Sequence, residues 1–289
     1  MRTSQQGFTL IELMVSLVLG LIIVAAATML FIAGQKSLAL QQGAADIQDN
    51  ANFALNYITK DIRMANLNNS TATMNASLAN GGIVFSTTNL AGITTVNVSQ
   101  SAISGTSNVT TGSDQLTIQY LPQQTGGFDC EGKEITSTSV YVIQRYFVRQ
   151  DSNIGSNETA ATALSLVCAA GRSNDMTAFN GDTGQIIMKR VDYFRVLLTV
   201  QNSAGSLRDM SISDYVTNAP TARILGVKLG VLTRSNQSVG VDSNINLAKT
   251  FKVLDQSVNL NSTIQSATTK NLRQVVTQTI AIRNALGDK

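Results

Sequence analysis

The hydrophobic and polar positions of this chain change their period twice. Residues 13–33 contain no Asp, Glu, Lys or Arg and are dominated by Leu, Ile, Val, Met and Ala. As a helix this run would be about 31 Å long, matching a hydrocarbon core of about 30 Å. Its single glycine, Gly20, is of a kind that membrane helices tolerate. Beyond Gly34 the pattern becomes one-sided. Ile47, Ala51, Ala54, Ile58, Ile62 and Ala65 recur at spacings of three and four, while Gln48, Asn52, Asn56, Lys60 and Arg63 fall on the other face. The string Asn66-Leu67-Asn68-Asn69-Ser70 then breaks the pattern. One long helix is predicted from Phe8 to about Asn66, apolar all round at first and amphipathic later. The later stripe needs a partner, which is either another helix in a coiled-coil stalk or the chain's own C-terminal region.

From Gly81 onward short apolar or alternating runs are separated by Gly, Asn, Ser and Asp clusters, the pattern of antiparallel strands. Candidate strands are 83–86, 115–121, 140–149, Val191–Gln201 and Arg223–Arg234. In Val191–Gln201, Asp192, Phe194, Val196, Leu198 and Val200 share one side. Val276, Ile280 and Ile282 mark a final strand, with Gln278 as its polar exception. The polar segment 235–270 reads as a long loop with a helical patch, and no internal repeat is present. The expected class is α+β, a long N-terminal helix followed by an antiparallel β-rich region.

Composition narrows the chemistry. With 289 residues the chain can bury a sizeable core, as one large domain or two modest ones. Charged residues are only 13%, against roughly 25% in soluble domains. There is no histidine, which removes the commonest general base, the commonest zinc ligand and every Ser-His-Asp arrangement. The net charge of +3 is not gathered into a basic run and aromatics are 5%, so a DNA-binding surface is not predicted. No enzyme activity, cofactor, metal site or small-molecule substrate is expected.

The N-terminus carries the decisive signal. Residues 1–7, MRTSQQG, are polar with one positive charge at Arg2. A cleaved secretory signal would place its cut near Ala25, Ala26 and Ala27, but the apolar run continues through Ile32. A plain anchor leaves Glu12 unexplained, because an ionised carboxylate deep in a bilayer costs about 2.5–3.5 kcal/mol. A third reading explains both features. Gly7-Phe8-Thr9-Leu10-Ile11-Glu12-Leu13 closely resembles the prepilin processing motif of type IV pilins and type II secretion pseudopilins. The resemblance implies that a prepilin peptidase cuts between Gly7 and Phe8 on the cytoplasmic side and methylates the new amine. Glu12 then becomes the fifth mature residue. An ammonium from a neighbouring subunit would neutralise Glu12 when helices stack with an axial offset, favouring one register.

This implies a type IV pilin fold in four parts: leader 1–7, transmembrane and assembly helix 8–33, amphipathic helix 34–66, and periplasmic β-rich domain 67–289. Arg2 ahead of the span favours a cytoplasmic N-terminus, an inner-membrane anchor and a periplasmic remainder. The two cysteines, Cys130 and Cys168, would then lie where disulfides persist. An intramolecular bridge is expected, with two buried free thiols as the alternative.

Later segments extend the resemblance. Asp129-Cys130-Glu131-Gly132, Leu166-Val167-Cys168, Val191-Asp192-Tyr193-Phe194-Arg195-Val196, residues 227–235 (VKLGVLTRS) and 279–284 (TIAIRN) together look like the PilW family of minor type IV pilins. The implied role is a low-abundance subunit that joins other minor pilins and the major pilin, primes pilus assembly and ends at the cell surface. A minor pseudopilin of a type II secretion system shares the same leader. One departure is Met29, which stands where major pilins often carry proline, so proline-driven unwinding is not carried over. The stretch from Asp151 to Glu158 (DSNIGSNE) has the oxygen-rich look of a calcium loop, but Gly155 occupies a ligand place and a solvated turn is the expected reading. Asp242-Ser243-Asn244 is read likewise. Lys189-Arg190 and Arg145 with Arg149 fit contacts to DNA or partners, and solvated strand faces explain them equally well.

Overall fold

The computed structural model describes residues 7–155, 158–240 and 245–286. The polar leader stretch with Arg2, two residues of the DSNIGSNE stretch and Asp242-Ser243-Asn244 with Val241 lie outside the described residues. The chain divides into two compact units, Met1–Gln42 and Gly43–Lys289.

Helix α1 runs unbroken over Leu10–Ile62, 53 residues. Its first part is long and apolar enough to cross a membrane, and none of that apolar window is buried. Leu10, Leu21, Met29 and Phe31 are among the many side chains left exposed. The helix assignment continues through Met29 without a break.

In the second unit the same helix is packed. The first buried position is Gly43, one turn ahead of Ile47. A Cβ at Gly43 would come within 3.3 Å of Ser235 Cβ, so glycine permits close approach of the chain that follows the sheet. Ile47, Ala51, Ala54, Ile58, Ile62 and Ala65 are all at most 1% exposed, the six positions read from periodicity. All but Ile47 join one core with side chains of both sheets, so the stripe packs on the chain's own C-terminal region.

The helix ends at Ile62 and turns through Asn66 and Asn68, both with positive φ. Asparagine adopts that conformation more readily than most residues. Asn284 from the far end of the chain donates to the carbonyls of Arg63 and Ala65, both at 3.0 Å, satisfying acceptors that a helix end leaves open.

The remainder is antiparallel. Strands β1 (Gln100–Ile103), β2 (Ser113–Tyr120), β3 (Val142–Gln150), β4 (Leu164–Arg172) and β5 (Gln185–Lys189) form a five-stranded meander in chain order. Strands β6 (Val191–Gln201), β7 (Leu207–Ser211), β8 (Arg223–Arg234) and β11 (Arg273–Ala281) form a second sheet, ordered β11-β8-β6-β7. A small hairpin, β9 (Phe251–Val253) with β10 (Gln256–Val258), covers part of that sheet through Val253, Val258 and Leu260 against Tyr193 and Leu232. The two large sheets meet where Ser113 and Asp114 accept from the backbone N–H groups of Phe194 (3.1 Å) and Val196 (2.8 Å).

Two strand expectations are corrected. Residues 83–86 make only a single bridge, Ile83 to Ile118, rather than a regular strand. The reason lies beside them: Gly82 is pressed against Asn66, whose Oδ1 accepts its N–H, and this anchors the segment to the helix turn. The segment 235–270 is not a plain loop with a helical patch. It holds the β9–β10 hairpin as well as the short helix Ser262–Gln265.

Candidate processing and assembly site

Gly7 and Phe8 precede the helix and are exposed, Phe8 at 91%. Thr9 stands at the N-cap of α1, and Leu13 N–H donates to its carbonyl at 3.3 Å. Glu12 lies three residues on, and the two cap each other. Thr9 N–H donates to Glu12 Oε2 at 3.0 Å, Thr9 Oγ1 donates to the same oxygen at 2.8 Å, and Glu12 N–H reaches Thr9 Oγ1 at 3.3 Å. This reciprocal capping box satisfies two otherwise orphaned N–H groups at the apolar end of the helix. Its sequence signature, Thr-x-x-Glu before an apolar run, lies inside the processing motif and was passed over in reading the motif for its cut. All of these bonds use Thr9 and Glu12 alone, so a cut before Phe8 leaves them intact.

Further along, Ser16 Oγ donates to the Leu13 carbonyl at 2.9 Å and Thr28 Oγ1 to the Ala25 carbonyl at 2.8 Å. Hydroxyls that bond back to their own helix can sit in lipid without an outside partner.

In the second unit the helix is fastened to the sheet by a buried polar contact that sequence reading missed. Asp61 Oδ2 accepts from Tyr146 Oη at 2.7 Å, between helix α1 and strand β3. Burial pushes the Asp61 carboxyl up to about 6, against the opposing pull of the Tyr146 bond and of Lys60. Asp114 is likewise pushed up to about 6 by burial, although Arg195 Nη1 lies 3.2 Å from it.

Cys130 and Cys168 are bonded to each other, with Cα atoms 6.1 Å apart and a separation of 38 positions in sequence. Cys168 lies in β4, and both half-cystines are part of the core shared with α1. Asp129 shapes the Cys130 turn by accepting from the N–H groups of Glu131 and Lys133, each at 3.0 Å, and by pairing with Arg172 at 2.8 Å.

The oxygen-rich stretch beginning at Asp151 is committed elsewhere. Asp151 pairs with Arg190 at 3.1 Å, and Glu158 lies between Arg190 (2.8 Å) and Arg234 (2.6 Å). Beside it, buried Asp192 pairs with Arg234 (3.1 Å) and Arg273 (2.7 Å) and accepts from Asn108 at 2.8 Å. Among the described residues no group of three or more His, Cys, Asp or Glu could hold a metal ion. The arginines that fit solvated strand faces are also spent internally, and this corrects that reading. Arg145 bonds Asn97 and the Asp182 carbonyl and lies over the Phe147 ring at 4.1 Å, and Arg149 donates to the carbonyls of Thr183 and Gly184. Their partners are too far away in sequence for any local pattern to announce them.

Comparison with known proteins joins the two ends of the chain. The model of the prokaryotic N-terminal methylation motif matches residues 2–28. The model described as type IV pilus-assembly protein W matches residues 145–284, from strand β3 through the Asn284 cap. No curated protein matches. Among solved structures the chain is similar to a type IV-like pilin, TTHA1219 from Thermus thermophilus, with a TM-score of 0.37, 11% identity, and coverage of 83% of this chain and 96% of that one. A prokaryotic N-terminal methylation motif thus heads the unburied apolar helix, and the region that closes on that helix's far end is similar to the PilW family of type IV pilus-assembly proteins.

Proposed function

We propose that this chain is a minor type IV pilin that joins other minor pilins to prime pilus assembly and sits at or near the pilus tip. In that role it supports surface motility, adhesion or DNA uptake. The supporting observation is an apolar helix half with no partner in its own chain, headed by the Gly7-Phe8 junction and Glu12. Before assembly that half spans the inner membrane, with the β-rich unit in the periplasm. A prepilin peptidase cuts after Gly7 and methylates Phe8, leaving an ammonium at the new terminus.

Glu12 then does two things. Oε2 caps its own helix through Thr9. Oε1 takes the ammonium of a neighbouring subunit as the apolar helices exchange lipid for one another. An unpaired carboxylate in that setting costs several kcal/mol, so the pair selects one axial register. No step of this role needs a cofactor or substrate.

The test is deletion of the gene read on two assays together. Loss of piliation and twitching with normal exoprotein secretion supports the reading. Normal piliation with lost secretion contradicts it and assigns the chain to a type II secretion system.

A further inference from the structure

The two large sheets end in four edges, and three carry the features that keep edges from pairing. Strand β1 has four residues and a break in register. Strand β5 has five, a register break against β4, and a lysine at its end. Strand β7 has five, two of them charged, Arg208 and Asp209. Strand β11 is different. It has nine residues, its register with β8 runs unbroken from Arg273 opposite Arg234 to Ala281 opposite Gly226, and Arg273 is its only charge.

The direction of its backbone groups follows from its flanks. Ser235 N–H donates to the Leu272 carbonyl and Ile282 N–H to the Leu225 carbonyl, both at 2.9 Å. Even-numbered positions therefore bond to β8, and Arg273, Val275, Thr277, Thr279 and Ala281 turn their N–H and C=O groups away from it. Among the described residues, no backbone bond from another segment reaches these outward groups. Thr277, Thr279 and Ala281 are exposed.

We propose that β11 is an interface at which a second copy of this chain adds its own β11, antiparallel, about a two-fold axis through Thr277. In that register outward groups meet outward groups. Arg273 lies opposite Ala281, Val275 opposite Thr279, and Thr277 opposite Thr277. No like charges face each other, and threonine pairs and β-branched pairs are favourable across strands. A parallel arrangement would instead set Arg273 against Arg273. The contact is isologous and closes at two copies. It does not depend on the assembly role proposed above.

The test uses the full-length chain in detergent, with mass measured by sedimentation. Wild type is expected to dimerise. Thr277→Lys and Thr277→Glu should each weaken the dimer about tenfold or more, because like charges then sit directly opposite. Mixing the two variants should restore it, which also shows that both still fold. Arg208→Glu on the β7 edge should leave it unchanged. A monomeric wild type, single variants that dimerise as well as wild type, or no rescue on mixing overturns the proposal. So does a Thr277→Cys cross-link in cells to a chain other than this one.

Discussion

The two halves of α1 share one continuous backbone and have opposite surroundings. In the half before Gly43 the apolar side chains are exposed as far as Leu38, and in the half after it every predicted apolar position is at most 1% exposed. The halves also differ in their polar residues. The first carries Glu12 alone among charges between Leu10 and Ala33, held by a local capping box. The second carries a largely polar outer face, with exposed Phe53 as its exception, and fastens itself to the sheet through Asp61 and Tyr146. Sequence period predicts which case applies. A helix apolar on all sides must find its partner outside the chain, whereas a one-sided helix can be completed by the chain's own sheets.

Paired substitutions should separate the halves most sharply. Ile58→Asp puts a charge into the core where no partner exists, and is expected to cost more than about 4 kcal/mol and unfold the second unit, while membrane insertion survives. Ile22→Asp should do the reverse, weakening membrane association by about 3 kcal/mol while the fold is kept. Fractionation and circular dichroism on both variants check this. If either change harms both units alike, the division is wrong.

A somewhat smaller effect is expected at the disulfide, which lies in the core under the packed half. Removing it by Cys130→Ser with Cys168→Ser should cost about 4 kcal/mol by loop-closure entropy. The shift in urea midpoint in detergent should appear in wild type on adding reductant and be absent from the double variant.

Next comes the helix–sheet contact. Asp61 has its carboxyl at about 6 in the folded protein, above its unfolded value of about 3.9. The folded state therefore holds the proton more tightly. The stability this confers is complete below about pH 4 and is lost as pH rises through about 6, some 2–3 kcal/mol in all. Asp61→Asn keeps an acceptor for Tyr146 and removes the ionisation. It should match wild type near pH 4 and be more stable at pH 8. Asp114 titrates in the same range, so the difference between the two proteins is the quantity to measure. Parallel stability curves would remove Asp61 from the account.

The smallest effect belongs to the exposed half. Thr9→Ala should loosen the first turn of α1 by about 1 kcal/mol, seen as faster hydrogen exchange at Leu10 to Leu13, without touching the second unit.

Much of this was legible in the sequence because it rests on local period. The helix with its two characters, strands Val191–Gln201 and Arg223–Arg234, and the final strand were each read from spacing. The Gly7-Phe8 junction and Glu12 were read from a contiguous motif. What escaped depends on residues far apart. Asp192 takes Arg234 and Arg273, 42 and 81 positions away, and nothing local to any of the three predicts it. Asp61 was not singled out, because its partner Tyr146 lies 85 positions on. Strand β4 was overlooked because it is buried on both faces and shows no alternation. The capping box is a different case, because its signal was present at Thr9 and Glu12.

The central claim is that Phe8 becomes the first residue of a subunit within a filament. Mass spectrometry of the N-terminal peptide of this chain, recovered from sheared and purified pili, tests it most directly. The account predicts a peptide beginning at N-methylated Phe8. A chain absent from the pili, one still beginning at Met1, or one cut near Ala25 to Ala27 would contradict it.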